Sequence, residues 1–200
     1  MKIEPLGISG AWVCTPSVHP DDRGAFLEWF RGDRLAAATR RRFDVVQANH
    51  SISQQGVVRG IHFADVPPGQ AKYVYCARGA VLDVIVDIRV GSPTFGEHVA
   101  VMLDEVDRRG VFIAEGLGHG FCALTDESSV AYLVSSPYNA SAERTVSPVD
   151  AELQLPWPEG TPLLLSDKDR DAPSLATAAA DGILPTYDSC VSLYESLRHS

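Results

Sequence analysis

The stretch Val81-Leu82-Asp83-Val84-Ile85-Val86-Asp87-Ile88-Arg89 decides the fold class, because its side chains alternate with a period of two. One face is apolar throughout and carries Leu82, Val84, Val86 and Ile88. The other face carries Asp83, Asp87 and Arg89, with Ile85 among them. A period of two is that of a β-strand. The stretch therefore predicts a strand with one apolar face and one wet or functional face.

Further short strands are predicted on both sides of this stretch. They span residues 43–49, 57–61, 72–77, 98–103, 111–113, 121–124 and 129–135, and turn signals separate them. Helical patterns occur only toward the ends of the chain, at 35–40, 175–181 and 190–198. About eight strands at roughly ten-residue spacing predict a mainly β protein, a sandwich or jelly-roll barrel whose mouth can hold one small ligand. We expect residues 1–200 to form a single domain, with 174–200 as a peripheral helical segment.

The composition excludes several classes of partner and location. The 200 residues carry 26 acidic and 17 basic side chains, a net charge of −9, which disfavours a nucleic-acid partner. No uncharged apolar stretch is long enough to span a membrane, and the first residues lack the pattern of a signal peptide. The four cysteines form no CxxC pair, as is typical of free thiols in a reducing compartment. We therefore expect a cytoplasmic protein that binds neither nucleic acid nor membrane.

The basic residues are used unevenly. Only three of the 17 are lysines, namely Lys2, Lys72 and Lys168, so a lysine in mid-chain indicates a use for its compact ammonium group. The single basic run, Arg40-Arg41-Arg42, follows a helix-like stretch. We expect the negative end of that helix to favour these positive side chains.

Two polar clusters lie in the first quarter of the chain, and each has a structural and a functional interpretation. Asp22-Arg23-Gly24 is a common loop sequence, which favours a purely structural turn. Gln47, Asn49 and Ser51 share one side of a strand if the pattern alternates there. That side is either a solvated face or a functional one.

Three further clusters carry side chains suited to acid–base chemistry or anion binding. Arg59 and His62 stand among apolar residues, where a buried arginine needs an anion and a histidine can act as a base near pH 7. Lys72 begins a predicted strand, and His119 lies in a glycine-rich sequence predicted to be a tight turn. The chain contains no H-x-H pair and offers no obvious third ligand beside His62 and His119, so no bound metal is predicted.

Taken in order, these clusters resemble one known family. The matching motifs are Asp22-Arg23-Gly24, Gln47-x-Asn49-x-Ser51, Gly56-Val57-Val58-Arg59-Gly60-Ile61-His62-Phe63, Gln70-x-Lys72, the strand at 83–89, Ser92-Pro93-Thr94-Phe95-Gly96, His119-Gly120-Phe121 and Leu165-Ser166-Asp167-Lys168-Asp169. The family is that of the dTDP-4-keto-6-deoxyhexose epimerases of the rhamnose and antibiotic deoxysugar pathways. The resemblance covers about residues 5–173.

The resemblance implies a fold, an assembly and a role for each site residue. The fold would be a cupin-type jelly roll, forming a homodimer that exchanges N-terminal strands and needs no cofactor. His62 resembles the catalytic base, Asp169 its orienting carboxylate, Tyr132 the opposing acid, and Lys72 the lysine beside the substrate's carbonyl oxygen. The residues that resemble substrate contacts are Arg23, Arg59 and His119 for sugar or diphosphate, Gln47, Asn49, Glu28 and Glu143 for nucleotide and sugar, Tyr138 for stacking on thymine, and Lys168.

The implied reaction makes chemical sense of these residue types. A 4-keto group acidifies the hydrogens on carbons 3 and 5, so inversion requires only removal and replacement of a proton. Histidine titrates at about 6.5 and suits the base, whereas tyrosine titrates at about 10 and stays protonated as the acid. The enolate intermediate places negative charge on the carbonyl oxygen, which the ammonium group of a lysine can stabilise.

The site of inversion is left open by the sequence. Family members that invert two centres usually carry Tyr-Tyr where this chain has Pro137-Tyr138. Inversion at carbon 3 is therefore the first expectation, inversion at carbons 3 and 5 the second, and inversion at carbon 5 alone the third. A nucleotide-sugar ketoisomerase on the same barrel and a barrel that only binds a nucleotide sugar are the alternatives from other classes.

Overall fold

Two antiparallel sheets form the body of the protein in a computed structural model that describes residues 1–198. The larger sheet has the strand order β1 (Lys2–Pro5), β2 (Ala11–Thr15), β10 (Gly110–Ile113), β7 (Lys72–Arg78), β12 (Ser128–Val134) and β5 (Gln47–Ser53). The smaller sheet has the order β13 (Glu143–Thr145), β6 (Val58–Ala64), β11 (Gly118–Ala123), β8 (Ala80–Val86) and β9 (His98–Asp104). A separate hairpin consists of β3 (Val18–Asp21) and β4 (Gly24–Leu27). The prediction of a mainly β jelly roll is confirmed.

A shared apolar core holds the two sheets together. Val74 and Val130 of the larger sheet pack in one cluster with Val81, Ile85 and Phe121 of the smaller sheet. Because side chains alternate along a strand, every second residue of β7, β8, β11 and β12 points into this space between the sheets. The alternate residues point outward, toward the helices and loops that cover both sheets.

The strand predicted from the 81–89 stretch is β8, but it has no wet face. Asp83, Asp87 and Arg89 are all 0% exposed. The inner face carries Asp83 and Ile85, whereas Val84 and Val86 point outward and pack beneath the C-terminal part of the chain. The alternative of a wet face was wrong, because the side of the strand that carries Asp83 faces the space between the two sheets. The opposite side is covered by residues that follow the last strand.

Short helices pack around the two sheets. They are α1 (Gly32–Thr39), α2 (Asp167–Arg170), α3 (Leu175–Ala180) and α4 (Tyr187–Arg198). Leu175 and Ala178 of α3 are buried on the smaller sheet, and Leu35 of α1 is buried on the larger one. No helix within residues 1–198 is both long enough and apolar enough to cross a membrane.

The basic run after α1 contains a buried ion pair, contrary to expectation. Both terminal nitrogens of Arg41 donate to the carboxylate of Glu115, at 2.6 and 2.8 Å, and the two side chains are 7% and 5% exposed. The Arg41 guanidinium also lies over the rings of Phe112 and Tyr194. Arg41 therefore binds a distant carboxylate instead of serving as a surface charge at the end of a helix.

Breaking this pair is expected to destabilise the protein strongly. Glu115→Gln leaves the Arg41 charge buried without its counter-charge, and such a loss typically costs about 3–5 kcal/mol. Glu127→Gln breaks the exposed pair with Arg78 and should change the free energy of unfolding little, because exposed ion pairs contribute little. Urea denaturation of the two variants checks this. Equal stability of both variants would contradict the structural role of Glu115.

Candidate active site

A cavity of about 380 Å³ opens between the two sheets. Most of the side chains predicted to form the site line it: Asn49, Arg59, His62, Lys72, His119, Tyr132, Tyr138, Glu143, Lys168 and Asp169. They come from seven separate strands and helices and one loop, so the fold and not the sequence order brings them together. The cavity is large enough for a small ligand such as a sugar.

The strand alternation explains why these side chains face the cavity. Lys72 shares the inner face of β7 with Val74, and Tyr132 lies on the inner face of β12 beside Val130. His62 stands on β6 of the opposite sheet, two residues after Gly60. His62 and Tyr132 therefore reach the cavity from opposite walls.

His62 is held by a buried carboxylate. Its Nε2 lies 2.7 Å from Oδ1 of Asp169, which is 3% exposed at the short helix α2. The hydroxyl of Ser166 caps that helix by accepting a hydrogen bond from the backbone N–H of Asp169. Burial raises the pKa of Asp169, but hydrogen bonds from His62, Ser166 and Gly60 and the charge of His62 outweigh burial and lower it. Asp169 is thus an ionised anchor for the His62 ring.

His119 lies directly opposite His62, because β6 and β11 approach each other unusually closely. A Cβ at Gly60 would lie 2.5 Å from Cα of Gly120, and the φ of Gly60 is +132°, so only glycine fits. His119 was predicted to lie in a turn, but it is a buried residue of strand β11. Its Nε2 is 2.8 Å from Oδ2 of Asp83 on β8.

The lysine and the tyrosine of the cavity have shifted pKa values. Burial lowers the pKa of Lys72, and Glu143 and Asp83 oppose that effect. Burial raises the pKa of the Tyr132 hydroxyl, Arg59 lowers it, and Glu143 raises it further. Tyr132 therefore stays protonated at neutral pH and can donate a proton. The ammonium group of Lys72 can stabilise a negative charge in the cavity.

Arg59 and Tyr138 stand at the more open side of the cavity. Arg59 was predicted to be a buried arginine, but it is exposed, and its Nε donates to the hydroxyl of Ser53 at 3.2 Å. Tyr138 is 63% exposed, which leaves one face of its ring free for stacking. The exposed guanidinium needs no internal anion and is available to an external one.

Arg23, Glu28 and Gln47 do not line the cavity of their own chain. Arg23 lies at the tip of the β3–β4 hairpin and pairs with Asp21, and Glu28 pairs with Arg31 after that hairpin. Gln47 is closer, because its amide donates to Asn49 and accepts from the backbone N–H of Tyr138. The half-buried positions of Gln47, Asn49 and Ser51 show that their side of β5 faces inward, not toward solvent.

Some cavity residues were not predicted from the sequence. Ser51 and Gln70 line the cavity although no role was assigned to them, and Ser166 lines it beside α2. All three stood in motifs that were quoted, so their position was a usable signal. In residues 1–198, no three histidine, cysteine or acidic side chains are grouped as a metal site.

Comparison with known proteins places this arrangement in a family. The profile described as dTDP-4-dehydrorhamnose 3,5-epimerase matches residues 5–177. The chain belongs to the dTDP-4-dehydrorhamnose 3,5-epimerase family. It is 55% identical to a dTDP-4-dehydrorhamnose 3-epimerase of Streptomyces niveus, over 95% of this chain and 91% of that protein. It is 54% identical to a dTDP-4-dehydrorhamnose 3,5-epimerase of Mycolicibacterium smegmatis, over 100% and 98%.

A solved structure of another epimerase has the same fold. It is that of ChmJ, a 3'-monoepimerase from Streptomyces bikiniensis, in complex with dTDP-quinovose. The TM-score is 0.96 at 45% identity, and the match covers 98% of this chain and 99% of that chain. The jelly roll described above is therefore the fold of a solved member of the dTDP-4-dehydrorhamnose 3,5-epimerase family.

In this dTDP-4-dehydrorhamnose 3,5-epimerase family member, the His62–Asp169 pair should make stability depend on acidity. Because the pKa of Asp169 is lowered by folding, the unfolded chain binds more protons between the two pKa values. The resulting stabilisation is complete above the ordinary carboxyl pKa of about 3.9 and is lost as the pH falls through the lower folded value. Asp169→Asn should lack this loss. Urea denaturation between pH 2 and pH 7 measures it, and identical slopes for both proteins would contradict it.

Proposed function

We propose that this protein inverts carbon 3 of a dTDP-linked 4-keto-6-deoxyhexose by acid–base proton transfer, without a cofactor. The observation that carries the proposal is the pair of opposed groups in one cavity. His62, held by buried Asp169, reaches it from the smaller sheet, and the protonated hydroxyl of Tyr132 reaches it from the larger sheet. A proton removed on one face of a sugar ring and returned on the other inverts the carbon between them.

The steps balance without an oxidant or a reductant. His62 takes the proton from carbon 3, and the electron pair of that C–H bond moves through carbon 4 to the carbonyl oxygen. The ammonium group of Lys72 stabilises the enolate oxygen. Tyr132 then gives its proton to carbon 3 from the opposite face, and the carbonyl re-forms. Water restores the proton of Tyr132 and removes the one on His62.

The remaining cavity residues suit the non-reacting part of the substrate. Arg59 and Lys168 supply positive charge for a diphosphate in a protein whose net charge is −9. Tyr138 offers an exposed ring on which thymine can stack. We assign Asn49, Glu143 and His119 to polar contacts with the sugar and the nucleoside, and Gln47 to a contact beside them.

Inversion at both carbon 3 and carbon 5 is the second candidate. Its support is the 54% identity to the 3,5-epimerase of Mycolicibacterium smegmatis, which nearly equals the 55% identity to the 3-epimerase of Streptomyces niveus. Both names share inversion at carbon 3, which is why that reaction comes first. Inversion at carbon 5 would use the same base and acid on a substrate turned within the cavity.

We also propose that the active form is a homodimer in which the β3–β4 hairpin reaches the neighbouring cavity. The hairpin extends from the body, and it exposes 67% of Phe26 and most of Arg23. A partner that covers Phe26 could bring Arg23 and Glu28 to the cavity of the other copy. Light scattering is expected to give twice the mass of the 21.6 kDa chain, and a monomeric mass would contradict the dimer.

The cell compartment is part of the same proposal. All four cysteines are buried free thiols, which supports a protein that works in the reducing cytoplasm.

Proton NMR in heavy water tests the proposed reaction. The protein, treated with EDTA and given dTDP-4-keto-6-deoxyglucose, should incorporate deuterium at carbon 3 and yield the inverted sugar. Exchange at both carbons would favour the double epimerase, and a carbonyl moved to carbon 3 would indicate a ketoisomerase. No exchange at all would indicate a binding barrel and overturn the proposal. Turnover that EDTA abolishes and a metal restores would overturn the cofactor-free mechanism.

A further inference from the structure

Two histidine–aspartate pairs lie side by side on the wall formed by the smaller sheet. His62 and His119 face each other across β6 and β11. His62 is paired with Asp169, and His119 is paired with Asp83. The proposed reaction gives the first pair the role of base, but it assigns no task to Asp83.

Asp83 is fully buried, but only one of its two carboxylate oxygens has a hydrogen-bond partner within the described residues. It is 0% exposed and stands on the inner face of β8 between Val81 and Ile85 of the core. Its Oδ2 is 2.8 Å from Nε2 of His119, whereas its Oδ1 is buried and has no hydrogen-bond partner within the described residues. A carboxylate is costly to bury and persists in a core when its charge is compensated. The contacts of Oδ2 therefore do not explain why the second oxygen, Oδ1, is buried.

Lys72 is the positive group that responds to the charge of Asp83. It lies on the inner face of β7, in the sheet opposite β8. Burial lowers its pKa, the carboxylates of Glu143 and Asp83 raise it, and the ammonium group of Lys168 lowers it. These groups come from β13, β8 and α2, and they are the charged neighbours through which Lys72 is influenced.

We propose that Asp83 is a positioning residue of the active site, which orients His119 through one oxygen and keeps Lys72 charged through its negative charge. The inference rests on the proposed function, because it concerns the group that stabilises the enolate. With Nε2 of His119 occupied by Asp83, the other ring nitrogen, Nδ1, is left for the substrate. A lysine stabilises an enolate oxygen only in its ammonium form, so the charge of Asp83, acting with that of Glu143, extends the reaction to higher pH.

The ionisation of Lys72 can be measured directly and without substrate. Lys2, Lys72 and Lys168 are the three lysines of the chain, so protein labelled with carbon-13 at the lysine ε-position should give three NMR signals. Lys72→Met identifies the signal of Lys72 by its loss. In Asp83→Asn the amide oxygen can still bond to His119, but the charge is gone. The Lys72 signal should then titrate at a lower pH than in the wild type.

The same variant should alter exchange at carbon 3 in a defined way. The rate should fall about 10- to 100-fold, by analogy with the range found when a group that orients a metal-binding histidine is lost. The alkaline limb of the pH–rate profile should move to lower pH, while binding of dTDP is retained. Asp104→Asn is the matched control, because Asp104 lies on the neighbouring strand β9 and uses Oδ1, which asparagine keeps, to accept from the turn after it.

Several outcomes would overturn this inference. If the Lys72 titration and the alkaline limb of Asp83→Asn are the same as in the wild type, the charge of Asp83 has no role. If Asp83→Asn does not fold, Asp83→Glu serves in its place, because it keeps the negative charge. A Lys72 titration at lower pH in Asp83→Glu than in the wild type would contradict the inference. If the wild type does not exchange the hydrogen on carbon 3, the proposed function is rejected instead. The two failures can be told apart, because the Lys72 titration is measured without substrate.

Discussion

His62→Ala is expected to abolish both solvent exchange and inversion at carbon 3 while leaving dTDP binding intact. A positioned general base contributes about 10²- to 10⁴-fold to a rate, and the nearby His119 stands on the neighbouring strand β11 instead of at the position of His62. The nucleotide should still bind, because Arg59, Lys168 and Tyr138 and not the imidazole are assigned to it. Exchange is measured by proton NMR in heavy water, and dTDP affinity by calorimetry.

The control for this variant is another histidine of the same sheet. His98 begins the edge strand β9, does not line the cavity, and should tolerate replacement by alanine without loss of exchange. If His62→Ala exchanges deuterium at carbon 3 near the wild-type rate, His62 is not the base. Loss of dTDP binding together with exchange would mean that the imidazole holds the nucleotide as well.

Tyr132→Phe is expected to separate exchange from inversion. The phenylalanine ring keeps the packing against Val130 on the inner face of β12 but lacks the hydroxyl that donates the proton. His62 can still form the enolate and return a proton to the same face of the ring. Inversion should therefore fall by about a hundred- to ten-thousand-fold, the usual cost of losing a general acid, while deuterium exchange persists.

The two rates must be followed on one sample, so that their ratio is independent of protein concentration. Tyr75→Phe is the matched control, because it removes a hydroxyl from β7 at a residue outside the cavity. Inversion at the wild-type rate in Tyr132→Phe would transfer the role of acid to Tyr138 or to water. Equal loss of exchange and inversion would show that the hydroxyl is needed to form the enolate, and the two-face mechanism would be wrong.

Local sequence patterns predicted the central strands because alternation is a property of each strand alone. The predicted strands at 72–77, 98–103 and 129–135 differ from β7, β9 and β12 by one residue at their ends. The strand predicted at 43–49 instead runs from Gln47 to Ser53, because its pairing with β12 sets its bounds. The first four strands were missed, and the exposed hairpin β3–β4 has no buried face that would impose an alternating pattern.

The residues of the candidate site were easier to predict than the partners of His119 and Arg41. His62, Lys72 and Asp169 could be named because they stand in the matched motifs, whereas Tyr132 stands in none of them and was named from the resemblance as a whole. The bond between His119 and Asp83 joins residues far apart in sequence, and only the pairing of β8 with β11 places them together. The same holds for Arg41 and Glu115, whose contact spans 74 positions and follows no local pattern.

The proposed mechanism requires that the hydrogen on carbon 3 leaves as a proton to solvent during inversion. Substrate labelled with deuterium at carbon 3 tests this in ordinary water, with EDTA-treated protein and no added cofactor. Mass spectrometry of the inverted sugar should show complete loss of the label, and the initial rate should be slower than with unlabelled substrate. Inverted product that retains its deuterium would contradict the account, because the hydrogen would then have been transferred without exchange with water.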